Sequence, residues 1–279
     1  MSTRKTRRQV WGLVGRYTLL AVLSIVVLFP IYITVVNALL TGDQLGSRTP
    51  TLFPLHPVWE NFSKAWSDGH FGHYMVNSFV VTLLIVTGQL ITAVFAGYAF
   101  AFLEFPFKRT LFVVFLATLM VPFEVTIIQN LTTVTDLGIY NSYAGLAIPF
   151  MATGFGAFLM RQAFLGVPRD LQDAASLDGY GHWRFMTRVA VPLVRPSVAA
   201  LGVFAFLSAW NQYLWPLLVT KDDQFRTVQV GLKQLAGSTI GDIPLRFAGA
   251  AIAVVPLAIL LIVFQKQLVR GLTAGAVKG

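Results

Sequence analysis

Six long apolar segments, separated by shorter polar ones, dominate the pattern of this chain. Each apolar segment has the length of about 20 residues that an α-helix needs to cross the hydrocarbon core of a bilayer. The pattern therefore predicts an all-α integral membrane protein in which residues 1–279 form a single transmembrane domain. The six predicted transmembrane helices are residues 17–40, 75–103, 110–130, 143–164, 198–220 and 247–269.

The composition agrees with this class of protein. Only 12% of the residues are charged and 56% are hydrophobic, whereas a soluble domain carries about 25% charged residues. Cysteine is absent, which excludes a disulfide framework, a thiolate metal site and a cysteine nucleophile. Basic residues precede the first apolar segment as they do in a signal peptide, but the segment is too long for that role, and we expect a retained span.

The net charge of +9 is distributed unevenly along the chain. If the N-terminus is inside and the spans alternate, few of the 21 Lys and Arg residues lie outside, namely Arg48, Lys64, Lys221, Arg226, Lys233 and Arg246. Lys and Arg concentrate on the cytoplasmic side of membrane proteins. The distribution therefore predicts cytoplasmic N- and C-termini and explains the positive charge without a nucleic-acid partner.

The longest predicted cytoplasmic segment, residues 165–195, contains more polar residues than a buried segment would. Asp170 favours the positive end of a helix. Gly179 is typical of the position after a helix end, where the backbone becomes left-handed. These signals predict a short surface helix over residues 170–178.

The residues after Gly179 predict an amphipathic return to the membrane, with Phe185 on the apolar face and Arg184 and Arg188 on the wet face. Pro192 and Pro196 are expected to bend the chain into the fifth span. An ordinary amphipathic surface loop would have the same composition. The case for a function therefore depends on the spacing of the residues.

That spacing resembles the EAA motif of the membrane subunits of binding-protein-dependent ABC importers. The family pattern is EAA, a short gap, G, nine residues and I-x-L-P. Here Asp173-Ala174-Ala175 is followed after three residues by Gly179 and after nine more by Val189-x-Val191-Pro192. The substitutions are conservative, although Asp173 is shorter than Glu. The stretch WNQYLWPL at 210–217 and the tail at 270–279 are similar to the maltose and glycerol-phosphate type of carbohydrate permease.

The resemblance implies the type I ABC importer permease fold in a bacterial or archaeal cytoplasmic membrane. It implies that the helix at 170–178 is a coupling helix, which docks into a cleft of a cytoplasmic ATP-binding subunit. The residues implied in coupling are Asp173, Ala174, Ala175, Leu177, Asp178, Gly179 and Pro192.

The same resemblance implies the partners. They are a second permease that forms a heterodimer with this chain, two subunits that bind ATP and Mg, and an extracytoplasmic substrate-binding protein. In maltose-type systems the loop before the last span reaches into the binding protein. In this chain the residues implied in that contact are Gly237, Ser238, Thr239 and Gly241.

Polar residues within the spans are candidates for a substrate pathway. Glu124 lies toward the outer end of the third span, where a carboxylate is costly and often functional. Asn211, Gln212 and Tyr213 lie in the outer part of the fifth span, where amides and an aromatic ring suit the hydroxyls and C–H faces of a sugar. A helix-end carboxylate and an aromatic belt at the membrane interface are the alternative interpretations.

Missing motifs narrow the function further. No GxxxxGK[ST] motif is present, so this chain does not bind ATP through a P-loop, and no nucleophile–base pair indicates an enzyme. His70 and His73 have the spacing of metal ligands but no evident third ligand, which predicts no metal site.

The sequence thus predicts a permease subunit that moves a sugar, polyol or glycerol-phosphate compound by alternating access. A neutral sugar is favoured because the spans carry little positive charge. A self-contained secondary carrier or channel is the alternative, but the near absence of intramembrane charge argues against it. A membrane anchor without transport activity is a third hypothesis.

Overall fold

The computed structural model describes residues 7–67, 70–235 and 242–273. Within these ranges all the regular secondary structure is helical, which confirms the predicted all-α class. The α-helices are α1 (Arg7–Ala38), α2 (Gly42–Leu45), α3 (Glu60–Ser67), α4 (Phe71–Phe102), α5 (Lys108–Ala117), α6 (Phe123–Asp136), α7 (Tyr143–Ala147), α8 (Gly154–Leu165), α9 (Arg169–Leu177), α10 (His182–Phe185), α11 (Val191–Leu193), α12 (Arg195–Trp210), α13 (Leu214–Val219), α14 (Val228–Gln234) and α15 (Ile243–Thr273). Short 3₁₀ segments cover Thr118–Met120, Ile148–Phe150 and Asp223–Phe225, and a π-helical segment covers Met186–Ala190.

Three helices are long and apolar enough to cross a membrane alone. They are Gly12–Ala38, Phe71–Phe102 and Ile243–Gln267, which correspond to the first, second and sixth predicted spans. Three bent pairs of helices raise the number of candidate spans to six. Pro30 in α1 and Pro256 in α15 are accommodated without a break, as is common in transmembrane helices.

The other three predicted spans are not single straight helices. The helices Lys108–Met120 and Phe123–Asp136 meet at 98°, and Tyr143–Phe150 and Gly154–Leu165 meet at 48°. The predicted span 198–220 is divided between α12 and α13, which are separated by residues 211–213. The hydrophobicity of a segment indicates that it lies in the membrane, but it does not indicate where the helix within it is interrupted.

Prolines explain two of the breaks. A proline ring clashes with the carbonyl four residues earlier in a helix and removes one N–H donor. Pro122 therefore ends the third span's first half, and Val121 before it is extended. Pro216 would clash with the carbonyl of Gln212 if α12 continued into α13. The predicted bend at Pro192 and Pro196 is also confirmed, because the helices on either side of Val194 meet at 79°.

The chain forms two compact units. The first comprises residues 1–71 and 232–254. In it, the buried Asn61 amide donates hydrogen bonds to the carbonyls of Ala38 and Leu40, each at 2.9 Å. The end of α1 thereby keeps its last carbonyls bonded. Thr41 then starts α2 through a reciprocal capping box with Gln44.

The second unit comprises residues 72–231 and 255–279, which include nearly all of α4. A Cβ atom added to Gly97 would lie 2.6 Å from Met160 Cβ and 2.8 Å from the backbone nitrogen of Arg161. One added to Gly88 would lie 2.5 Å from Met151 Cγ. Small residues on α4 thus allow close approach to the break before α8 and to α8 itself.

The N-terminal part of α4 is held by hydrogen bonds. Asn77 is fully buried, and its amide donates to the carbonyls of Gln224 and Arg226, each at 2.9 Å. The Tyr143 hydroxyl donates to Asn77 Oδ1 at 2.6 Å. The Ser78 hydroxyl oxygen accepts a bond from the Val228 amide at 2.7 Å. The loop before α14 is therefore held by polar side chains of α4.

We expect Gly97→Ala to lower the free energy of unfolding by about 1–3 kcal/mol, because the methyl group would overlap backbone atoms that cannot rotate away. The measurement is the midpoint of thermal unfolding in mild detergent. Gly202→Ala is the matched control, since a Cβ there would lie 3.7 Å from Leu90 in ordinary contact. Equal midpoints for both variants would contradict this account of α4 packing.

Candidate coupling surface and substrate pathway

The surface helix predicted over residues 170–178 is observed as α9, Arg169–Leu177. Gly179 follows it with φ +75°. The Tyr180 amide donates to the Ala175 carbonyl at 2.8 Å, and the Gly179 amide donates to the Ser176 carbonyl at 3.0 Å. These two bonds form a Schellman motif, which requires the left-handed conformation that glycine adopts without strain. The predicted role of Gly179 in ending the helix is confirmed.

The residues predicted to couple to a partner divide between two faces of α9. Asp173, Ala174 and Asp178 are exposed, and Leu177 has 90% of its surface exposed. Ala175 is 7% exposed and packs in a core cluster of this chain with Tyr98, Phe164 and Phe185, among others. The two alanines therefore do not form one small outward face. Ala174 lies on the exposed side, and Ala175 packs α9 against the rest of the chain.

The segment after α9 is anchored to α4. The Tyr98 hydroxyl lies 3.1 Å from His182 Nδ1 and 3.2 Å from the His182 carbonyl. The rings of Phe95 and Trp183 are stacked, with centroids 6.0 Å apart. Phe185 is buried against the same cluster as Ala175. The exposed face of α9 is thus presented on a fixed base, a requirement for transmitting a displacement.

Pro192 has a different position from the other predicted coupling residues. It lies in α11, partly buried, just before the bend at Val194. Its ring shapes the return into the membrane and is not part of the exposed face of α9.

The three breaks in the transmembrane helices meet at one aromatic cluster. Phe123 begins α6, Phe150 ends the segment before the second break, and Trp215 lies in the first turn of α13. Their ring centroids are 5.0 Å apart for Phe123 and Phe150, 5.8 Å for Phe123 and Trp215, and 6.0 Å for Phe150 and Trp215. The Trp215 indole also donates to the Gly145 carbonyl at 3.1 Å. Discontinuous helices that meet in this way are typical of binding sites in transporters.

The predicted pathway residues flank this cluster in the sequence. Glu124 is exposed in the first turn of α6. Asn211 is exposed, and its amide donates to the Leu207 carbonyl at 2.8 Å. Gln212 Oε1 is buried and accepts no hydrogen bond from the residues that the structure describes. Together with Tyr213, the two amides occupy the interruption between α12 and α13.

Two side chains on α4 that support a helix break were not predicted from the sequence. The Gln89 amide donates to the Phe150 carbonyl at 2.8 Å, and the Thr92 hydroxyl donates to the Met151 carbonyl at 2.8 Å. These carbonyls are freed by the break before α8, and an unpaired backbone group in a bilayer costs several kcal/mol. A glutamine in the middle of an apolar span was the signal that could have revealed this support.

The remaining predicted sites are less informative. Gly237, Ser238, Thr239 and Gly241 lie outside the described residues. Among the residues that are described, no three His, Cys, Asp or Glu side chains are close enough together to hold a metal ion. His73 instead lies with Nε2 2.9 Å from the Gln224 carbonyl.

Comparison with known proteins gives concordant matches. The model of a family described as "binding-protein-dependent transport system inner membrane component" matches residues 89–274. The sn-glycerol-3-phosphate transport system permease protein UgpE of Agrobacterium fabrum is 35% identical over 257 residues, which cover 89% of this chain and 91% of that protein. The proteins of the same name from Rhizobium meliloti and Brucella abortus are 34% and 35% identical, and each match covers 95% of this chain and 97% of the relative.

A solved structure shares the fold. It is a chain of a bacterial ABC transporter involved in the import of the acidic polysaccharide alginate. The TM-score is 0.81 at 21% sequence identity, and the match covers 95% of this chain and 99% of that chain.

The exposed position of Ala174 and the buried position of Ala175 on α9 can be tested. Ala175→Leu is expected to lower the thermal midpoint because the added atoms enter a packed cluster, at a cost of about 1–3 kcal/mol. Ala174→Leu, one residue away, should stay within about 0.5 kcal/mol of the parent because the site is exposed. Unfolding in detergent measures both. A larger loss for Ala174→Leu would show that the faces are assigned the wrong way round.

Proposed function

This chain belongs to the family of inner membrane components of binding-protein-dependent transport systems, and from that premise we propose how it works as the permease subunit of an ATP-driven importer. The family match includes both α9 and the broken helices. The chain is thus a multi-pass protein of the cytoplasmic membrane and a transport component, with no catalytic site of its own assigned.

The proposed complex contains this chain, a second and related permease, two ATP-binding subunits and an extracytoplasmic binding protein. The two permeases would form the pathway between them, and ATP with Mg would bind to the cytoplasmic subunits. The asymmetry of Lys and Arg supports cytoplasmic N- and C-termini. In that orientation α9 faces the ATP-binding subunits. Gly237, Ser238, Thr239 and Gly241 remain the residues proposed to contact the binding protein.

We assign coupling to the exposed face of α9. The Leu177 side chain is almost fully exposed, and burial of such a group in a partner's cleft would contribute about 1.5–3 kcal/mol. Asp173 and Asp178 flank it and can accept charge-assisted hydrogen bonds from basic groups of the partner. Ala174 leaves room for a close approach. Closure of the ATP-binding subunits would then move α9, and with it the base formed by Tyr98 and His182.

We assign substrate contact to the polar residues at the helix breaks. Gln212 carries the assignment, because its buried carbonyl oxygen has no donor among the described residues, and a buried acceptor of this kind is costly unless another group bonds to it. A hydroxyl of a substrate can donate that bond. Asn211, Tyr213 and Glu124 are proposed to line the same route.

The substrate class is proposed from the relatives. Three that match nearly the whole chain are named as sn-glycerol-3-phosphate permeases, so sn-glycerol-3-phosphate is the first compound to test. The residues at the breaks supply hydroxyl-binding amides and no Lys or Arg. Recognition of a phosphate group would therefore depend on the binding protein or the second permease. A neutral sugar or polyol is the second compound to test.

The test is uptake by the reconstituted complex. The tagged chain is purified with its co-purifying subunits and placed in proteoliposomes with the binding protein, labelled sn-glycerol-3-phosphate and internal ATP. We expect uptake that requires ATP, and the same uptake assay with a labelled sugar distinguishes the two substrate classes. Uptake by this chain alone without ATP would contradict the proposal.

Ala174→Arg should abolish ATP-dependent uptake and substrate-stimulated ATP hydrolysis, because a long cation on the exposed face of α9 would prevent close docking. The protein should still insert in the membrane, since the site is exposed. Thr187→Arg adds the same charge at an exposed position of the returning helix and is the control. Normal ATP-dependent uptake and ATP hydrolysis in the Ala174→Arg variant would show that α9 is not part of the interface with the ATP-binding subunits.

Gln212→Leu should leave the thermal midpoint unchanged or higher, because the amide oxygen has no bond to lose. Uptake at limiting substrate should fall by about tenfold, since a bond to the substrate would be lost. The control is Gln265→Leu, at an exposed amide whose bond is to the Ile262 carbonyl of its own helix. A fall in stability with normal uptake would identify Gln212 as a structural residue.

A further inference from the structure

A basic cavity lies where α4 ends, α5 begins and α8 ends. Its volume is about 510 Å³. The side chains that line it are Phe100, Ala101, Lys108, Arg109, Phe112, Val113, Arg161, Leu165 and Arg169. Four of these are cations and none is a carboxylate. Neither the coupling surface nor the substrate pathway accounts for this concentration of charge.

Contacts within the chain hold two of the cations in place. Lys108 Nζ donates to the Leu103 carbonyl at 2.6 Å. Arg161 Nε donates to the Phe100 carbonyl at 3.3 Å, and its guanidinium lies 4.2 Å from the ring centroid of Phe112. No further hydrogen bond of the Arg161 guanidinium is found among the described residues, so its two terminal nitrogens are open to a ligand. The site is therefore built by the fold, and is not a set of loose surface side chains.

The cations of the cavity are not neutralised by ion pairs. Within the described residues, no ion pair is found for Lys108, Arg109, Arg161 or Arg169, and the pairs Lys64–Glu60 and Arg226–Asp223 lie elsewhere. Arg161 and Arg169 both repel the charge of Lys108, and Glu104 opposes this repulsion only in part. The cluster therefore carries excess positive charge, which an anion would relieve.

The apolar rim indicates the kind of anion. Val113 has 63% of its surface exposed and Leu165 has 49%, and both line the cavity beside the cations. Val113 lies on a helix that belongs to a candidate span. A free phosphate gains nothing from these apolar groups, whereas a phospholipid places its phosphate among the cations and its acyl chains along the helix. Because Val113 belongs to a candidate span, this part of the rim favours a lipid over a soluble protein partner.

We infer that this cavity binds the phosphate headgroup of an anionic phospholipid. Lys108 and Arg161 form the fixed floor of the site, and Arg109 and Arg169 close over the headgroup from the exposed side. Because Arg169 is the first residue of α9, the bound lipid is attached to the coupling helix. Only this last link rests on the proposed function.

The experiment is native mass spectrometry of the full chain, with its co-purifying subunits, in mild detergent. Phosphatidylglycerol and phosphatidylcholine with the same acyl chains are added separately, without nucleotide or binding protein. We expect retention of phosphatidylglycerol and little of phosphatidylcholine. Equal retention of the two lipids would overturn the inference, and so would displacement of phosphatidylglycerol by millimolar inorganic phosphate, which would indicate a free-anion site. Neither result bears on transport.

Two double variants locate the binding. Arg109→Gln with Arg169→Gln should weaken phosphatidylglycerol binding by roughly 30-fold, as expected for two cations near an anionic headgroup. Arg188→Gln with Arg195→Gln removes the same charge from exposed positions away from the cavity and should leave binding unchanged. An equal loss in both would mean that net charge alone attracts the lipid. Unchanged lipid binding with loss of the ATP-binding subunits would identify the cavity as a protein interface.

Discussion

The constraint on which the second unit depends is the need of every backbone polar group in a membrane to find a partner. A helix meets this need by itself, but a broken helix does not. The described part of this unit has breaks at residues 121–122, 151–153, 194 and 211–213. Gln89 and Thr92 of α4 bond to the carbonyls of Phe150 and Met151, and Trp215 bonds to that of Gly145. One unbroken helix thus supplies the bonds that support the break before α8, and one indole supplies a bond to α7.

That unbroken helix also connects the regions to which functions are assigned. Along α4, Asn77 holds the loop before α14, Gln89 supports the break before α8, and Tyr98 holds the segment after α9. Farther on, Phe100 and Ala101 contribute to the basic cavity. A displacement of α9 would therefore act on the same helix that supports the break before α8. This connection supports the proposed coupling between α9 and the residues at the breaks.

The sequence predicted much of this architecture. Hydrophobic runs of membrane length located the three long apolar helices, and Gly179 and the prolines at 192 and 196 located the end of α9 and the bend after it. The breaks were not predicted, because hydrophobicity averages over a window and a single proline such as Pro122 hardly changes the average. The opposite roles of Ala174 and Ala175 were also not predicted. The two residues have the same side chain, and their exposure depends only on which neighbours fold against them. That depends on the tertiary structure.

The contact at Gly97 has a consequence for movement. Because a single methyl group would overlap the backbone of Met160 and Arg161, α4 and α8 are nearly in main-chain contact there, and neither can slide along the other without losing dense packing. Shear between these two helices would therefore disturb this packing. At residues 121–122, 151–153 and 211–213 the helix ladder is already open, and a rotation there would break few hydrogen bonds. The fold thus combines a close-packed helix pair with breaks at which the backbone has more freedom.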